Sequence, residues 1–255
     1  MTEPPVLVER RDRVLVITLN RPAAKNAVNL AVAQGVAAAV DALDADPDLS
    51  VGVLTGAGGT FCAGFDLKAF QRGETATIPG RGFAGLTRKP PSKPLIAAVE
   101  GFALAGGTEI ALSCDLIVAA ENARFGLPEV KRGLVAAGGG LIRLPRRIPY
   151  HLAMELALTG DPLTAAVAAE ANLVNRLVPV GEALPAALEL TARLAQNGPL
   201  ALRATAQIVR AAYDGTEEEG FARQAGPVAE VFASNDAKEG AAAFTEKRSP
   251  RWTGT

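Results

Sequence analysis

The sequence predicts a mixed α/β domain that continues, towards its C-terminus, into a region made mainly of helices. Short apolar runs rich in β-branched residues alternate with longer helical patterns, and glycine-rich turns follow several of the runs. After residue 195 the helical patterns dominate. We therefore divide the chain into an α/β portion over residues 1–195 and a helical region over residues 196–255. With 255 residues, 49% of them hydrophobic and 21% charged, the chain is large enough for a packed core.

The first predicted elements are a strand, a helix and a second strand. Residues 13–20 form an apolar run that is typical of a buried strand closed by a turn. Asn29 is a suitable cap for an alanine-rich helix that extends to about residue 44. Residues 51–55 form the next strand. This β-α-β order predicts a right-handed crossover with stacked short strands.

Beyond residue 70 the pattern changes. Residues 71–94 are rich in Gly, Pro, Arg and Lys, and we expect them to form a mobile surface loop that contributes to a pocket wall. Buried strands are predicted over residues 95–99 and 116–120, and the glycine-rich turn 101–107 between them leads into a helix over residues 107–113. The remaining predicted elements are a short strand over residues 173–178 and helices over residues 182–196, 199–213, 216–233 and 236–246.

Composition excludes several classes of function. There are 26 Lys and Arg residues against 27 Asp and Glu residues, a net charge of −1, which argues against a general nucleic-acid binder. A single histidine, His151, and two cysteines, Cys62 and Cys114, are too few for a multi-histidine metal site or a disulfide framework. Neither a signal-peptide core nor a membrane-spanning run is found, so we expect a cytoplasmic protein without membrane or metal.

Two glycine-rich turns are suited to present free backbone N–H groups. Gly64 permits a sharp turn before a helix start at Asp66, which leaves the N–H of Phe65 unpaired. The turn at residues 101–107 does the same for the N–H of Gly106. Two such donors that converge on one oxygen would form an oxyanion hole.

Two glutamates follow apolar strands and turns. Glu109 lies in the first turn of the predicted helix after Gly106, and Pro128 fixes the approach of Glu129. Two carboxyl groups that share one water titrate at different pH values, which suits acid–base catalysis. A glutamate in a first helical turn also serves commonly as a capping or dipole-compensating group, and this simpler role stays open for Glu109.

Short motifs recur in order along nearly the whole chain. They lie at residues 17–22, 26–27, 61–67, 96–109, 114–120, 125–129, 153–160, 171–175 and 239–247. Taken together and in register, they resemble the crotonase (enoyl-CoA hydratase/isomerase) superfamily. The resemblance implies a spiral of ββα units that forms a core with an acyl-CoA site, followed by a helical C-terminal region that mediates trimer formation.

The resemblance also implies a reaction. Its substrate would be an acyl-CoA thioester, whose carbonyl oxygen accepts hydrogen bonds from the N–H groups of Phe65 and Gly106. Glu109 would deprotonate the water that attacks C3, and Glu129 would handle the C2 proton. Because isomerases of the family often retain only one of these carboxylates, the pair favours an enoyl-CoA hydratase that adds water to 2-trans-enoyl-CoA. No cofactor is implied, since coenzyme A is part of the substrate.

Other residues match positions that contact coenzyme A in the family. These are Ala63, Asp66, Leu67 and Lys68 in the first glycine-rich turn, with Lys25 and Lys68 as candidate phosphate partners, and Lys247, which resembles a lysine that reaches the coenzyme A of a neighbouring subunit. A solvated surface lysine remains an equal interpretation of Lys25. The resemblance further implies a homotrimer or a homohexamer.

Two departures from the hydratase pattern leave alternatives open. Residues 135–140 read Val-Ala-Ala-Gly-Gly-Gly where many hydratases have Pro-Gly-x-Gly-Gly, and Phe65 stands where many have Ala. One alternative is a lyase or isomerase that acts on a specialised acyl-CoA and resembles carnitinyl-CoA dehydratase. The other is a non-catalytic acyl-CoA-binding protein.

Overall fold

The structure, a computed structural model, describes residues 3–255. Its strands are β1 (Val6–Arg11), β2 (Val14–Leu19), β3 (Val51–Gly56), β4 (Thr77–Ile78), β5 (Gly82–Phe83), β6 (Leu95–Val99), β7 (Phe102–Leu104), β8 (Leu116–Ala120), β9 (Arg124–Gly126), β10 (Leu163–Thr164) and β11 (Arg176–Val178). Its helices are α1 (Leu30–Ala45), α2 (Leu67–Gln71), α3 (Gly106–Ala111), α4 (Gly140–Arg143), α5 (Tyr150–Thr159), α6 (Ala165–Glu170), α7 (Ala183–Leu194), α8 (Pro199–Arg210), α9 (Glu217–Ala233) and α10 (Asn235–Glu246). Short 3-10 turns lie at Pro22–Ala24, Pro128–Arg132 and Leu144–Arg146.

The main sheet has six strands in the order β1-β2-β3-β6-β8-β11. All neighbours are parallel except β1, which pairs antiparallel with β2 at one edge. Alternation along each strand sends side chains to two cores. In β6, for example, Leu95, Ala97 and Val99 face the larger core, whereas Ile96 and Ala98 face a smaller one that α7 covers. Both faces are therefore buried, as parallel sheets require.

Successive ββα repeats place a second layer of strands beside the main sheet. β6 is followed by β7 and α3, and β8 is followed by β9. Because β6 pairs with β8 and β7 pairs with β9, the repeats stack side by side. The repeat that begins with β3 joins the same layer through Cys62, which forms a parallel bridge with Ala103, before it continues into α2.

Asn26 fixes the chain that leads into this second layer. Its side chain is fully buried. Its backbone has a φ of 55°, a left-handed conformation that Asn tolerates better than most residues. The amide accepts from the N–H of Arg21 at 2.9 Å and donates to the carbonyls of Ala57 and Thr60 at 2.9 and 2.5 Å. Three bonds from one side chain thus hold the turn between β3 and Cys62.

Most predicted elements are present close to their predicted bounds. The Asn29 cap is confirmed, since its side chain accepts from the N–H of Val32, and the strands around residues 13–20, 51–55, 95–99 and 116–120 all form. The predicted helix over residues 107–113 spans Gly106–Ala111, and the strand predicted over residues 173–178 is limited to Arg176–Val178.

The prediction of a surface loop over residues 71–94 is wrong for much of its length. Strands β4 and β5 pair as a small antiparallel hairpin, and Ala76, Ala84, Leu86 and Thr87 are fully or almost fully buried. The buried residues are scattered among Gly, Pro and Arg, so no helix or strand period reveals them. We call residues 76–88 the hairpin segment.

Helices α8, α9 and α10 occupy most of residues 196–255. Arg210, at the end of α8, joins them to the core through two hydrogen bonds to the carboxylate of Asp115, both at 2.6 Å. Within residues 3–255, no helix is long and apolar enough to cross a bilayer.

Candidate active site

A cavity of about 2030 Å³ opens where the second strands of the three repeats end. Phe65 follows the bridge at Cys62, Gly106 follows β7, and Glu129 follows β9. All three line the cavity together with Glu109 from the first turn of α3. The structure therefore brings together the two predicted donors and the two predicted carboxyl groups.

The backbone N–H groups of Phe65 and Gly106 are free for a ligand. Val28 hydrogen-bonds on either side of Phe65, to the carbonyl of Gly64 at 2.8 Å and from the N–H of Asp66 at 2.9 Å. Gly106 begins α3, so its N–H has no acceptor within the helix. Within residues 3–255, neither the N–H of Phe65 nor that of Gly106 donates a hydrogen bond to a backbone or side-chain atom.

The two turns that carry these donors approach each other closely. Gly64 has a φ of 97°, and a methyl group added to it would lie 2.7 Å from the Cβ of Ala105 and 3.1 Å from the nitrogen of Gly106. Ala105 itself has a φ of 53°, which is uncommon for a residue with a side chain and costs on the order of 1–3 kcal/mol. This strained residue turns the chain from β7 into α3 and directs the N–H of Gly106.

Glu109 is only 3% exposed. Burial raises the pKa of its carboxyl group, while the N–H groups of Gly140 and Gly138 and the charge of Arg143 oppose this rise. The N–H of Gly140 donates to its Oε1 at 2.9 Å. The glycine stretch that departs from the hydratase pattern thus still supplies a main-chain donor here.

Glu129 lies between the main cavity and a smaller apolar chamber of about 380 Å³, whose walls include Leu127, Leu141 and Met154. Its Oε2 atom is buried and has no hydrogen-bond partner within the described part of the chain. Burial raises the pKa of this carboxyl group, and the nearby negative charge of Glu109 raises it further. The backbone N–H of Glu129 and the charge of Arg132 oppose this rise in the pKa of Glu129.

An aromatic wall faces the donors. The rings of Phe65 and Phe83 meet edge to face with centroids 6.2 Å apart, and Phe70 contacts Phe65 in the same way at 5.7 Å. Phe83 also packs over Gly106, where an added methyl group would lie 2.3 Å from the ring. Phe83 was not among the predicted site residues, because it lies in the hairpin segment, where no helix or strand period reveals the buried side chains.

The predicted coenzyme A contacts fall into two groups. Lys25, Ala63 and Leu67 line the cavity. Lys25 is exposed, with its Nζ 5.3 Å from the centre of the Phe102 ring.

The other three predicted contacts lie outside the cavity lining. Asp66 caps α2, accepting from the N–H groups of Lys68 and Ala69, and pairs with Arg21 at 2.9 Å. Lys68 is exposed on α2, and Lys247 is exposed at the end of α10.

Arg143 is a cavity residue that the sequence analysis did not identify. Its signal was weak, because a basic residue near the end of a helical pattern commonly serves only the helix terminus. No group of three or more His, Cys, Asp or Glu side chains within residues 3–255 is arranged to hold a metal ion.

Comparison with known proteins places this geometry in context. A family model described as enoyl-CoA hydratase/isomerase matches residues 9–255. The chain is 46% identical to the enoyl-CoA hydratase EchA19 of Mycobacterium tuberculosis over 98% of this chain and 96% of that protein. It is 41% identical to a carnitinyl-CoA dehydratase of Proteus mirabilis, over 96% of each chain.

A solved structure has the same fold. A crystal structure of an enoyl-CoA hydratase from Mycobacterium tuberculosis H37Rv superposes with a TM-score of 0.96 at 62% sequence identity. The match covers 99% of this chain and 100% of that chain. Together with the family match, it confirms the crotonase fold that the motifs predict.

The raised pKa of Glu129 predicts a pH-dependent effect of its neutral analogue. A carboxyl group with a higher pKa in the folded than in the unfolded protein makes folding less favourable as pH rises through the interval between the two values. Glu129→Gln removes this penalty. We therefore expect the variant to gain stability relative to the native protein at pH 8 compared with pH 4, as measured by urea unfolding at both values.

A matched change supplies the control. Glu121 is exposed, and Glu121→Gln, measured at the same two pH values, is the control for the loss of a surface carboxyl group. An equal effect of Glu129→Gln at pH 4 and pH 8 would contradict the assigned environment of Glu129.

Proposed function

The chain belongs to the enoyl-CoA hydratase/isomerase family and is a hydro-lyase, and we propose that it adds water reversibly to the 2,3 double bond of 2-trans-enoyl-CoA thioesters. One observation carries the proposal: the buried Glu109, the half-buried Glu129 and two free backbone N–H groups line the same cavity. Glu109 and Glu129 supply the proton transfers, and Phe65 and Gly106 bind the developing negative charge.

The main-chain donors act on the thioester carbonyl. When water attacks C3, the electrons of the double bond move towards C1 and charge builds up on the carbonyl oxygen. The N–H groups of Phe65 and Gly106 stabilise this oxygen, and because the turns already hold them in place, little reorganisation is needed during the reaction.

The two glutamates divide the proton transfers. Ionised Glu109, supported by the N–H of Gly140, takes a proton from the water as its oxygen bonds to C3. Protonated Glu129, whose Oε2 lacks a partner, gives its proton to C2. The product is a 3-hydroxyacyl-CoA. Dehydration runs through the same steps in reverse, and the proton transfers require no cofactor beyond the coenzyme A of the substrate.

The rest of the substrate follows from the cavity walls. The apolar acyl chain is expected against the rings of Phe65, Phe70 and Phe83. For coenzyme A we propose backbone contacts along residues 63–68, with Lys25 and Lys68 near the phosphates. The exposure of both lysines allows them to reach an anion outside the cavity.

We propose a homotrimer or homohexamer in the cytoplasm. Three aromatic side chains on α9 and α10 support self-association, because Phe221, Phe232 and Phe244 are 58%, 78% and 87% exposed. In such an assembly, Lys247 next to Phe244 would reach a neighbour's coenzyme A. The free thiols of Cys62 and Cys114 suit a reducing compartment.

A second candidate function is dehydration of a more polar acyl-CoA. Its support is the similarity to the carnitinyl-CoA dehydratase together with Phe65, whose ring narrows the cavity. The same carboxyl groups and N–H donors would serve this reaction, so the difference between the candidates lies in the acyl group and not in the proton transfers.

Hydration can be followed directly with crotonyl-CoA. We expect the native protein to hydrate crotonyl-CoA, so that the absorbance of its conjugated thioester decreases. Glu109→Gln and Glu129→Gln should each lower kcat by about 100- to 10,000-fold, because each removes one proton transfer. Circular dichroism shows whether the variants remain folded.

Three outcomes separate the candidates. Native turnover that both substitutions leave intact would contradict the two-glutamate mechanism. Turnover confined to carnitinyl-CoA or another substituted acyl-CoA would favour the second candidate. Tight thioester binding without turnover of any acyl group would identify a binding protein.

The contact between the two donor turns gives a second kinetic prediction. In Gly64→Ala the new methyl group would meet Ala105 and push the two N–H groups apart. We expect kcat for crotonyl-CoA to fall about 100- to 1,000-fold, as when one oxyanion donor is lost. Gly73→Ala is the matched control, since Gly73 has a similar φ of 76° but open space around it. Equal losses in both variants would refute the specific role of the Gly64 contact.

Self-association predicts a defined mass. Light scattering coupled to size exclusion should give about three or six times the 26.2 kDa subunit mass. Phe232→Asp replaces the more exposed of the two phenylalanines on α9 by a charged residue. This variant should have a lower mass if α9 takes part in the contact between subunits. A native mass of one subunit would contradict the proposed assembly.

A further inference from the structure

Arg143 lies between two segments that shape the cavity. It ends α4, and its guanidinium is partly buried. Nη1 donates to the carbonyl of Gly138 at 3.3 Å, while Nη2 donates to the carbonyl of Thr87 in the hairpin segment. One side chain thus connects two segments that are 51 residues apart in the sequence (138 − 87).

Each of these segments contacts a different part of the site. The glycine segment of residues 138–140 supplies the N–H of Gly140, which donates to Glu109. The hairpin segment carries Phe83, whose ring packs over Gly106 and against Phe65. A bond between the segments therefore fixes the base relative to the wall that faces the thioester.

Arg143 also contributes a positive charge next to Glu109. Its charge favours the ionised form of Glu109, and Glu109 in turn favours the charged form of the guanidinium. The other titratable groups that face Arg143 are Cys114, just after α3, and Arg147, just after the last 3-10 turn. Burial raises the pKa of the Cys114 thiol beyond the neutral range, so Glu109 is the anion that faces Arg143.

We propose that Arg143 is a positioning residue, which ties the glycine segment to the hairpin segment and holds Glu109 ionised and aligned for its role as base. The hydrogen bonds provide the alignment, and the guanidinium charge provides the electrostatic support. The role of Glu109 as base rests on the proposed function, whereas the contacts of Arg143 are independent of the reaction.

The first test needs no substrate. Infrared difference titration of ¹³C-glutamate-labelled protein, with Glu109→Gln as the subtraction reference, gives the pKa of Glu109. In Arg143→Gln it should rise by about 1 unit, since a neighbouring opposite charge is lost. In Arg143→Lys it should stay near the native value. Arg10→Gln is the matched control, because exposed Arg10 pairs with Asp46 and Asp48 and does not line the cavity, and it should leave the titration of Glu109 unchanged.

Kinetics supply the second test. In Arg143→Gln the acid limb of kcat/KM for crotonyl-CoA should move to higher pH by the same amount as the titration. Lysine keeps the charge but cannot bridge both carbonyls, so Arg143→Lys should keep the native acid limb and lower kcat about 10-fold, with a smaller effect on KM.

The outcomes are decisive in either case. An unchanged pKa of Glu109 in Arg143→Gln, or an equal shift in Arg143→Lys, would overturn the proposal. If Arg143→Gln does not fold, Arg143→Lys decides alone, since native kcat would overturn the positioning role. A native protein inactive on every acyl-CoA would refute the proposed function but leave the titration result in force.

Discussion

Lateral hydrogen bonding between the second strands of the three ββα repeats is the constraint on which the site depends. Cys62 pairs with Ala103, and β7 pairs with β9, so the turns that follow these strands end at one place. The fully buried Thr108 reinforces this register, because its hydroxyl lies within 3.0 Å of the backbone of both β7 and β9. A shift in either pairing would separate the N–H donors from the glutamates.

The site also depends on the different surroundings of two carboxyl groups. Burial, nearly complete for Glu109 and partial for Glu129, raises both pKa values. Glu109 receives the N–H of Gly140 and the charge of Arg143. Glu129 has its own N–H and the charge of Arg132 but borders an apolar chamber with one oxygen unpaired. In the proposed mechanism the proton therefore resides on Glu129. This asymmetry gives one group the role of base and the other the role of acid without any difference in residue type.

The strands and the candidate catalytic groups could be predicted because their signals are local. Continuous apolar runs mark β2, β6 and β8, and glycines followed by a first-turn glutamate mark the start of α3. The edge strand β1 was missed, since its second half is polar and most of the strand is exposed. The expectation that residues 71–94 contribute to a pocket wall is confirmed, but the buried residues of the hairpin segment have no period, so its packing and the position of Phe83 could not be predicted.

The sequence by itself determined the α/β class through side-chain periodicity and backbone preferences within a few residues. The family, and with it the residues that carry the donors and carboxyl groups, followed from the resemblance of its ordered motifs to the crotonase superfamily. Only the tertiary structure decided that Arg143 joins two distant segments, that Phe83 packs over Gly106, and that Glu129 lacks a partner for one oxygen. Such contacts depend on which side chains and backbone groups meet in space, and sequence separation does not encode this.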